Sequence, residues 1–268
     1  MKTLIFSGTH ERHLFIHSEV IKQADNVLMI VMQREELIPS PPENINEHDK
    51  QNFVRHFANR HEVEKKAYSQ ISLEQDFSSV EKVFVTPKEL NTKLLAKRVQ
   101  DFDADFCFIF GPDLILSPVI DVLPRNRVNL HLGLSPWYKG GATLFWPFYF
   151  LQPQFAGITF HQITEKPDAG EIIHQCTPQL ELGDKIHDVG VKCVTQAKLQ
   201  IGSLMQHFKS FGDFEGEVQR ESGRVWRGTD FHPSQLRVIY DLYDDNIVDA
   251  YLAGELEQKT PKLVSCLS

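Results

Sequence analysis

The chain alternates short apolar runs with stretches whose apolar residues recur every three or four positions. Residues 4–6 are an apolar run closed by Ser7-Gly8, residues 14–24 have helical spacing, and residues 27–32 are a second apolar run. That succession predicts a parallel strand–helix–strand unit. A third strand is expected at 82–86, followed by a helix with Pro87 in its first turn that runs through Leu95 to Val99. Proline lacks only an N–H that the first turn leaves unpaired anyway. Residues 105–110, Asp-Phe-Cys-Phe-Ile-Phe, are apolar on both faces, as a central strand covered on both sides requires. Residues 128–132 are the next strand. The alternation predicts an α/β fold: a Rossmann-like, doubly wound, mostly parallel sheet.

Two stretches interrupt this pattern. Residues 33–81 form an insertion, with Pro39, Pro41 and Pro42 in a loop and then a polar, helix-like segment at about 47–70 that carries Val54, Phe57 and Tyr68 on one side. After residue 150, residues 156–163 and 171–177 read as two strands joined by the polar turn 164–170. Gly183-Asp184 precedes a long helix whose apolar positions, Ile186, Val189, Cys193, Ala197, Ile201, Leu204 and Phe208, step by three or four. Phe211-Gly212 ends it. The division expected is a catalytic domain over 1–210 and a small C-terminal subdomain over 211–268. In the latter a hairpin is expected around Gly223, then a helix opened by Pro233 with Leu236, Ile239, Tyr240 and Tyr243 on one face.

Composition adds boundaries to this picture. The chain has 268 residues, is 41% hydrophobic and 24% charged, and carries a net charge of −8, an ordinary globular balance. An acidic chain lacks the basic footprint of a nucleic-acid binder. The four cysteines, Cys107, Cys176, Cys193 and Cys266, form no CxxC pair, which points to a reduced, cytoplasmic setting. No run of apolar residues is long enough to span a membrane, and the N-terminal run reads as a buried strand, not as a signal segment.

The candidate chemistry is concentrated in two places. Asn129 and His131 are two apart on a strand and so project from the same face. They lie where the strand enters Gly133-Leu134-Ser135-Pro136-Trp137-Tyr138-Lys139-Gly140-Gly141, at the carboxyl end of a parallel strand, where open α/β sheets bind ligands. Taken alone, both could equally be core polar groups satisfied by backbone. The second place is Thr164-Glu165-Lys166-Pro167-Asp168-Ala169-Gly170, ordinary turn chemistry by itself. Together, an amide, an imidazole and a carboxylate are the parts of an acyl transfer to an amine: donors for an oxyanion and a group that moves protons.

The order Asn129-x-His131, then Gly133-Leu134-Ser135-Pro136-x-Tyr138-Lys139-Gly140, then Asp168-x-Gly170-x-Ile172 resembles the folate-dependent formyltransferases. That family includes glycinamide ribonucleotide formyltransferase, methionyl-tRNA formyltransferase and the sugar N-formyltransferases. Its pattern is Asn-x-His, Ser-Leu-Leu-Pro-x-Tyr-Arg-Gly and Asp-x-Gly. Here Gly133 stands for the family serine, Ser135 for the second leucine and Lys139 for the arginine. The resemblance covers about residues 1–210. It implies N10-formyltetrahydrofolate as donor, held by Phe110, Gly111, Ile115, Leu116 and Ser117 on one side and Thr164, Glu165, Lys166 and Pro167 on the other. Asn129 and His131 would hold the oxyanion, and Asp168 would set the state of His131 and help pass the proton. No metal is implied.

Other features are less specific. Gly8, Thr9 and His10 sit at the first strand-to-helix turn, where a substrate phosphate could meet a helix N-terminus, although Glu11 has the wrong sign. His10, His13 and His17 step by three and four, but no carboxylate or cysteine completes a metal set, and a solvated helix face is the simpler reading. Trp137, Tyr138 and Lys139 could stack on a base, pair with a phosphate or just close the loop.

Within the family, residues 209–268 carry seven Lys/Arg against eleven Asp/Glu, a poor tRNA clamp beside the C-terminal barrel of the tRNA enzymes. The insertion and tail are surplus to the purine-pathway enzyme. A nucleotide-linked amino sugar is therefore the expected acceptor, with a hydroxyornithine-like amino acid or methionyl-tRNA as alternatives. A formyl-folate hydrolase or a non-catalytic folate-binding module is the reading from another class. The apolar face in the tail leaves a homodimer open.

Overall fold

The computed structural model describes residues 1–33, 38–74, 76–219 and 223–267. Its frame is a seven-stranded sheet in the order β3-β2-β1-β4-β5-β7-β8. The strands are β1 (Lys2–Gly8), β2 (Asn26–Met32), β3 (Glu81–Val85), β4 (Phe106–Phe110), β5 (Arg127–His131), β7 (Ile158–Gln162) and β8 (Ile172–Cys176). The pairs among the first five are parallel, while β5–β7 and β7–β8 are antiparallel. A separate two-stranded parallel ribbon joins β6 (Tyr138–Gly140) to β9 (Arg224–Trp226). The helices are α1 (Glu11–Lys22), α2 (Glu47–Tyr68), α3 (Lys93–Phe102), the short α4 (Trp146–Tyr149), α5 (Ile186–Phe211) and the short α6 (Ile247–Leu252).

Alternation along the strands splits the core in two. Ile5, Met29, Val31, Phe106 and Phe108 face the layer of α1, α2 and α5, where they pack with Val20, Phe53, Ile201 and Leu204. Leu4, Phe6, Leu28, Ile30 and Cys107 face α3, with Leu95 and Val99. Each fully buried side chain of this size contributes roughly 1.5–3 kcal/mol, so both faces hold the sheet between helical layers. The expected apolar stripe of α5 is buried along its length, and Gly212 ends the helix with φ +72°, a left-handed cap that glycine adopts without strain.

Several boundaries and faces differ from the sequence-based expectation. The third helix begins at Lys93, not Pro87. Glu89 accepts from both the N–H and the hydroxyl of Thr86 at 2.8 Å, which closes a turn, and Thr92 then caps α3. The insertion does form a helix, α2, but Val54 is 50% exposed, and the buried positions are Asp49, Asn52, Phe53, His56, Glu64 and Tyr68. The inward stripe of α2 is thus largely polar, which a search for apolar periodicity passes over.

The hairpin expected around Gly223 falls on residues 220–222, which lie outside the described residues; β9 beyond them runs parallel to β6. Gly140, at φ +88°, is the reason the two can approach: a Cβ there would sit 2.1 Å from the Trp226 carbonyl oxygen. Trp226 then stacks on Trp146, centroids 4.0 Å apart. After Pro233 the chain makes a 3₁₀ turn and a wide π turn over Val238–Leu242 in place of one helix, and the Asp245 N–H returns to the Ile239 carbonyl at 2.7 Å. Leu236, Ile239, Tyr240, Ile247 and Val248 from this segment are all buried.

The tail and the insertion interlock by polar contacts. Arg237 donates to both oxygens of Asp49 at 2.6 and 3.1 Å, Asn52 donates to Asp241 at 3.0 Å, and His56 meets the Tyr240 hydroxyl at 2.9 Å. At the outer edge of the sheet, residues 217 and 264–266 add backbone hydrogen bonds to β8, so that edge is not left as an open template for another chain. No helix among the described residues is long and apolar enough to cross a membrane.

Candidate active site

The site lies at the carboxyl ends of β4 and β5, where the sheet changes from parallel to antiparallel. A cavity of about 890 Å³ opens there, walled by Phe110–Ile115, Asn129–Leu132, Gly140, Gly141 and Thr143, by His161–Thr164 except Gln162, by Lys166–Asp168, and by Val225–Gly228 of the tail. Register builds its floor. Asn129 pairs with His161 across the β5–β7 ladder, and His131 pairs with Thr159. The turn after β7 then carries Asp168 back over both strands. Asp168 holds a left-handed φ of +48°, a conformation aspartate tolerates better than most residues. Gly170 follows because a Cβ there would lie 1.6 Å from the Gln162 carbonyl oxygen.

Four side chains meet on this floor. His131 Nδ1 is 3.4 Å and His161 Nε2 3.3 Å from Asp168 Oδ1. Asn129 Nδ2 donates to His161 Nε2 at 3.1 Å, and His161 Nδ1 donates to the Gln162 carbonyl at 2.8 Å. His131 Nε2–H donates to the Tyr138 carbonyl at 2.8 Å, and the Gly140 N–H donates to Asp168 Oδ2 at 2.7 Å. His161 Nε2 thus lies between the Asn129 amide and Asp168 Oδ1, and the amide has a second N–H to offer a ligand.

Electrostatics separates the roles. Burial by itself would raise the Asp168 carboxyl, but His131, His161 and the Gly140 N–H outweigh it and hold it far below the usual carboxylate range. Burial lowers His131, and the Asp168 charge and the Tyr138 carbonyl oppose that shift. The resting state is a carboxylate beside a neutral imidazole whose two nitrogens both face acceptors. A proton arriving on His131 finds both hydrogen bonds ready. Such a unit can accept a proton from a nucleophile and return it to a leaving group, while the Asn129 amide offers an N–H to a developing oxyanion. Gly133, the departure from the serine of the formyltransferase pattern, has a steric reason: a Cβ would lie 2.6 Å from both His131 Nε2 and the Tyr138 carbonyl.

Of the other candidates from sequence, Phe110, Gly111, Ile115, Thr164, Lys166 and Pro167 line the cavity. Leu116, Ser117 and Glu165 are outside its walls: the Leu116 N–H bonds to Asn91, and the Ser117 hydroxyl bonds to Asp121. Trp137 packs edge-on against Phe155, the Tyr138 hydroxyl turns to Gln152, and Lys139 is buried behind the wall. Gly8 backs onto Gly111, and His10 caps α1 and pairs with Glu64, so neither lines the cavity, nor does Thr9. His17 is buried against the Phe110 carbonyl. Among the described residues no group of three histidine, cysteine or acidic side chains could hold a metal ion.

Three contributors were not among the sequence candidates. His161 is one; its only sequence signal is a histidine within a predicted strand, seven residues before Asp168. Gln219 donates to the carbonyls of Asp168 and Gly170 at 2.8 and 2.7 Å, and the β9 strand forms a wall. These last two reach the site only through tertiary pairing.

Fold and site together define an α/β enzyme of the acyl-transfer type. The chain belongs to the formyl transferase family, whose model matches residues 11–201. Among solved structures it is similar to the N-formyltransferase from Helicobacter canadensis in complex with folinic acid and dTDP-3-aminofucose, at 16% identity over 91% of this chain and 82% of that one, TM-score 0.54. It is also similar to the phosphoribosylglycinamide formyltransferase from Bacillus halodurans, at 16% identity over 80% and 97%, TM-score 0.54. A third is the formyltransferase PseJ from Anoxybacillus kamchatkensis, in complex with UDP-4,6-dideoxy-4-formamido-L-AltNAc and tetrahydrofolate, at 18% identity over 92% and 96%, TM-score 0.50.

Proposed function

We propose that the protein transfers a formyl group from N10-formyltetrahydrofolate to the primary amine of a small acceptor, a nucleotide-linked amino sugar. The observation that carries this reading is the β5–β7 register, which gathers Asn129, His131, His161 and Asp168 within hydrogen-bonding range on the floor of one cavity. Family membership supports the reaction type. The amino-sugar acceptor draws support from the ligands of PseJ and of the Helicobacter enzyme, and from the acidic tail.

The cavity fits a folate in size and chemistry. Ile115, Ile163 and Pro167 supply apolar walls for a flat ring, and the backbone of 110–115, 164 and 166–168 lies along its edge with donors and acceptors. The folate supplies the formyl group and leaves as tetrahydrofolate. As the acceptor amine bonds to the formyl carbon, the carbonyl electron pair moves to oxygen, and the free Asn129 N–H donates a hydrogen bond to that oxyanion. The amine proton passes to the Asp168–His131 unit, with the imidazolium held between Asp168 and the Tyr138 carbonyl. The unit returns the proton to the leaving nitrogen as the old C–N bond breaks. His131 thus acts mainly on the proton, since its Nε2–H is already committed to Tyr138. The test is turnover of formyl-folate by purified protein against a panel of nucleotide amino sugars, free amino acids and water alone. Release of tetrahydrofolate only with an amino sugar is the expected result. Release with water alone would make the protein a hydrolase.

A further inference from the structure

Three residues form a row across the sheet behind the cavity floor. Ladder register sets His131 of β5 opposite Thr159 of β7, and Thr159 opposite Gln175 of β8. Residues directly opposite in antiparallel strands project from the same face, so the three side chains stand side by side. Thr159 is 0% and Gln175 3% exposed.

Their hydrogen bonds leave no freedom. The Thr159 hydroxyl donates to the Gly133 carbonyl at 2.7 Å and accepts from the Ser135 N–H and from Gln175 Nε2, both at 3.0 Å. Gln175 Nε2 also donates to the Ser135 carbonyl at 2.6 Å, and Gln175 Oε1 accepts from the Val264 N–H at 3.2 Å. A hydroxyl has one proton and two lone pairs, and an amide nitrogen has two protons. The Thr159 oxygen and the Gln175 nitrogen are therefore saturated, and neither can turn without leaving a buried group unpaired.

The row anchors the loop that leaves β5. Gly133 and Ser135 are held from the sheet side, and the Tyr138 N–H closes on the Leu134 carbonyl at 2.9 Å. The Tyr138 carbonyl then receives the His131 Nε2–H at 2.8 Å. At the other end of the row, the Gln175 N–H donates to the Val264 carbonyl and the Cys266 N–H to the Ile173 carbonyl, both at 2.8 Å. This C-terminal segment lies outside residues 11–201, the part that matches the family.

We propose that Thr159 and Gln175 are positioning residues for His131, and that the C-terminal segment seated on β8 holds them in place. Neither side chain lines the cavity, so both act through the loop. With Gly133 and Ser135 fixed, the Tyr138 carbonyl stays in line with His131 Nε2, and the ring keeps Nδ1 turned to Asp168. The effect on rate rests on the formyl-transfer reading; the hold on the ring does not.

The experiment uses the full chain and follows the His131 ring by NMR, its signals identified by their loss in His131→Gln. Solvent exchange of the Nε2–H, measured well below each variant's melting temperature, should quicken about 5- to 30-fold in Thr159→Val and Gln175→Leu, the effect of one or two neutral hydrogen bonds. Turnover of N10-formyltetrahydrofolate with the acceptor panel should fall by a similar factor, with tetrahydrofolate affinity within several-fold. Thr159→Ser, which keeps the hydroxyl, should restore both. Val264→Pro, at the sheet edge, removes only the N–H that reaches Gln175 and should quicken exchange by a smaller factor; it carries the test should Thr159→Val not fold. Lower melting temperatures with His131 exchange unchanged in Thr159→Val and Val264→Pro would make the row structural only and overturn the proposal. Quickened exchange in a protein that turns over no formyl-folate with any acceptor would leave the row's hold on His131 standing and remove the formyl-transfer reading instead.

Discussion

The catalytic cavity and a chamber of about 360 Å³ beside it share Leu132, Thr143 and Gly228 but are built in opposite ways. The cavity stands on strand ends. Its polar side chains come from β5, β7 and the turn that follows, and each finds a protein partner: Asn129 on His161, His131 on Tyr138, Asp168 on Gly140. The chamber stands on the insertion helix, the first turn of α1 and the tail, and Arg12 Nε, Arg60 Nε, Glu64 Oε2 and His187 Nε2 are buried there without a hydrogen-bond partner. Preorganised groups, each fixed by a protein partner, suit a reaction whose charges must be met without rearrangement. Underpaired groups suit recognition, because the ligand completes them. The difference teaches that a paired floor and an underpaired chamber are built from separate parts of this chain, and that residues flanking the β6–β9 ribbon, Thr143 and Gly228, join the two.

The sharpest way to break that comparison is at the floor of the cavity. His131→Ala and Asp168→Asn should each lower kcat by about 100- to 10,000-fold while leaving folate affinity within several-fold, as steady-state kinetics and calorimetry would show. Under the proposed mechanism the two act on one proton, so the double variant should lose little beyond the worse single. Additive losses would mean that the pair does not work as a unit.

A smaller but still large effect belongs to the ribbon. Gly140→Ala places a Cβ 2.1 Å from the Trp226 carbonyl at a φ of +88°, and the same residue holds Asp168. Loss of about 2 kcal/mol or more in stability is expected, with activity falling further than the folded fraction explains. Denaturant titration and assay of the same sample separate the two. An alanine variant with wild-type stability would show that the ribbon does not join the parts.

Acidification should strike the helical layer before the floor of the cavity. His17, fully buried, is pulled from 6.5 to about 4 by burial, against the Phe110 carbonyl bond. Its folded form binds its proton less readily than its unfolded form, so stability is complete above pH 6.5 and is lost as pH falls toward 4. The linked change is on the order of 2–3 kcal/mol for such a group. Denaturation midpoints at pH 7 and pH 5 measure it, and His17→Gln, which keeps a donor for Phe110, should narrow the gap between them. An unchanged gap in that variant would move the effect to other groups. Asp168, held low, keeps its charge through this window.

The smallest expected effect is at Gln219. Replacing it with leucine removes two donors from the Asp168 turn without touching the reacting groups. A fall in kcat of about tenfold with little change in melting is expected, in line with one or two neutral hydrogen bonds of about 1 kcal/mol. A loss confined to stability would make the contact structural only.

Much of the frame is legible in the sequence. Runs such as 27–32 and 105–110 are apolar at nearly every position because both faces of the sheet are covered, and the stripe of α5 is apolar because one face is. The pairing of Asn129 with His131 is legible because a strand's alternation sends both the same way. The inward face of α2 is not, since Asp49, Asn52, His56 and Glu64 are buried polar groups whose partners, Arg237, Asp241, Tyr240 and Arg12, lie on other segments.

What the sequence determined by itself, then, is where each segment hides its apolar side, because burial is a property of one residue at a time and repeats with the period of its element. What only tertiary structure decided is which segments meet. The antiparallel return of β7 sets His161 opposite Asn129, a glycine at 140 admits Trp226, and the wide turn over Val238–Leu242 sets Tyr240 against His56. Those are properties of pairs far apart in the chain, fixed by register and by the space left between backbones, and a single strand's pattern carries no record of its partner.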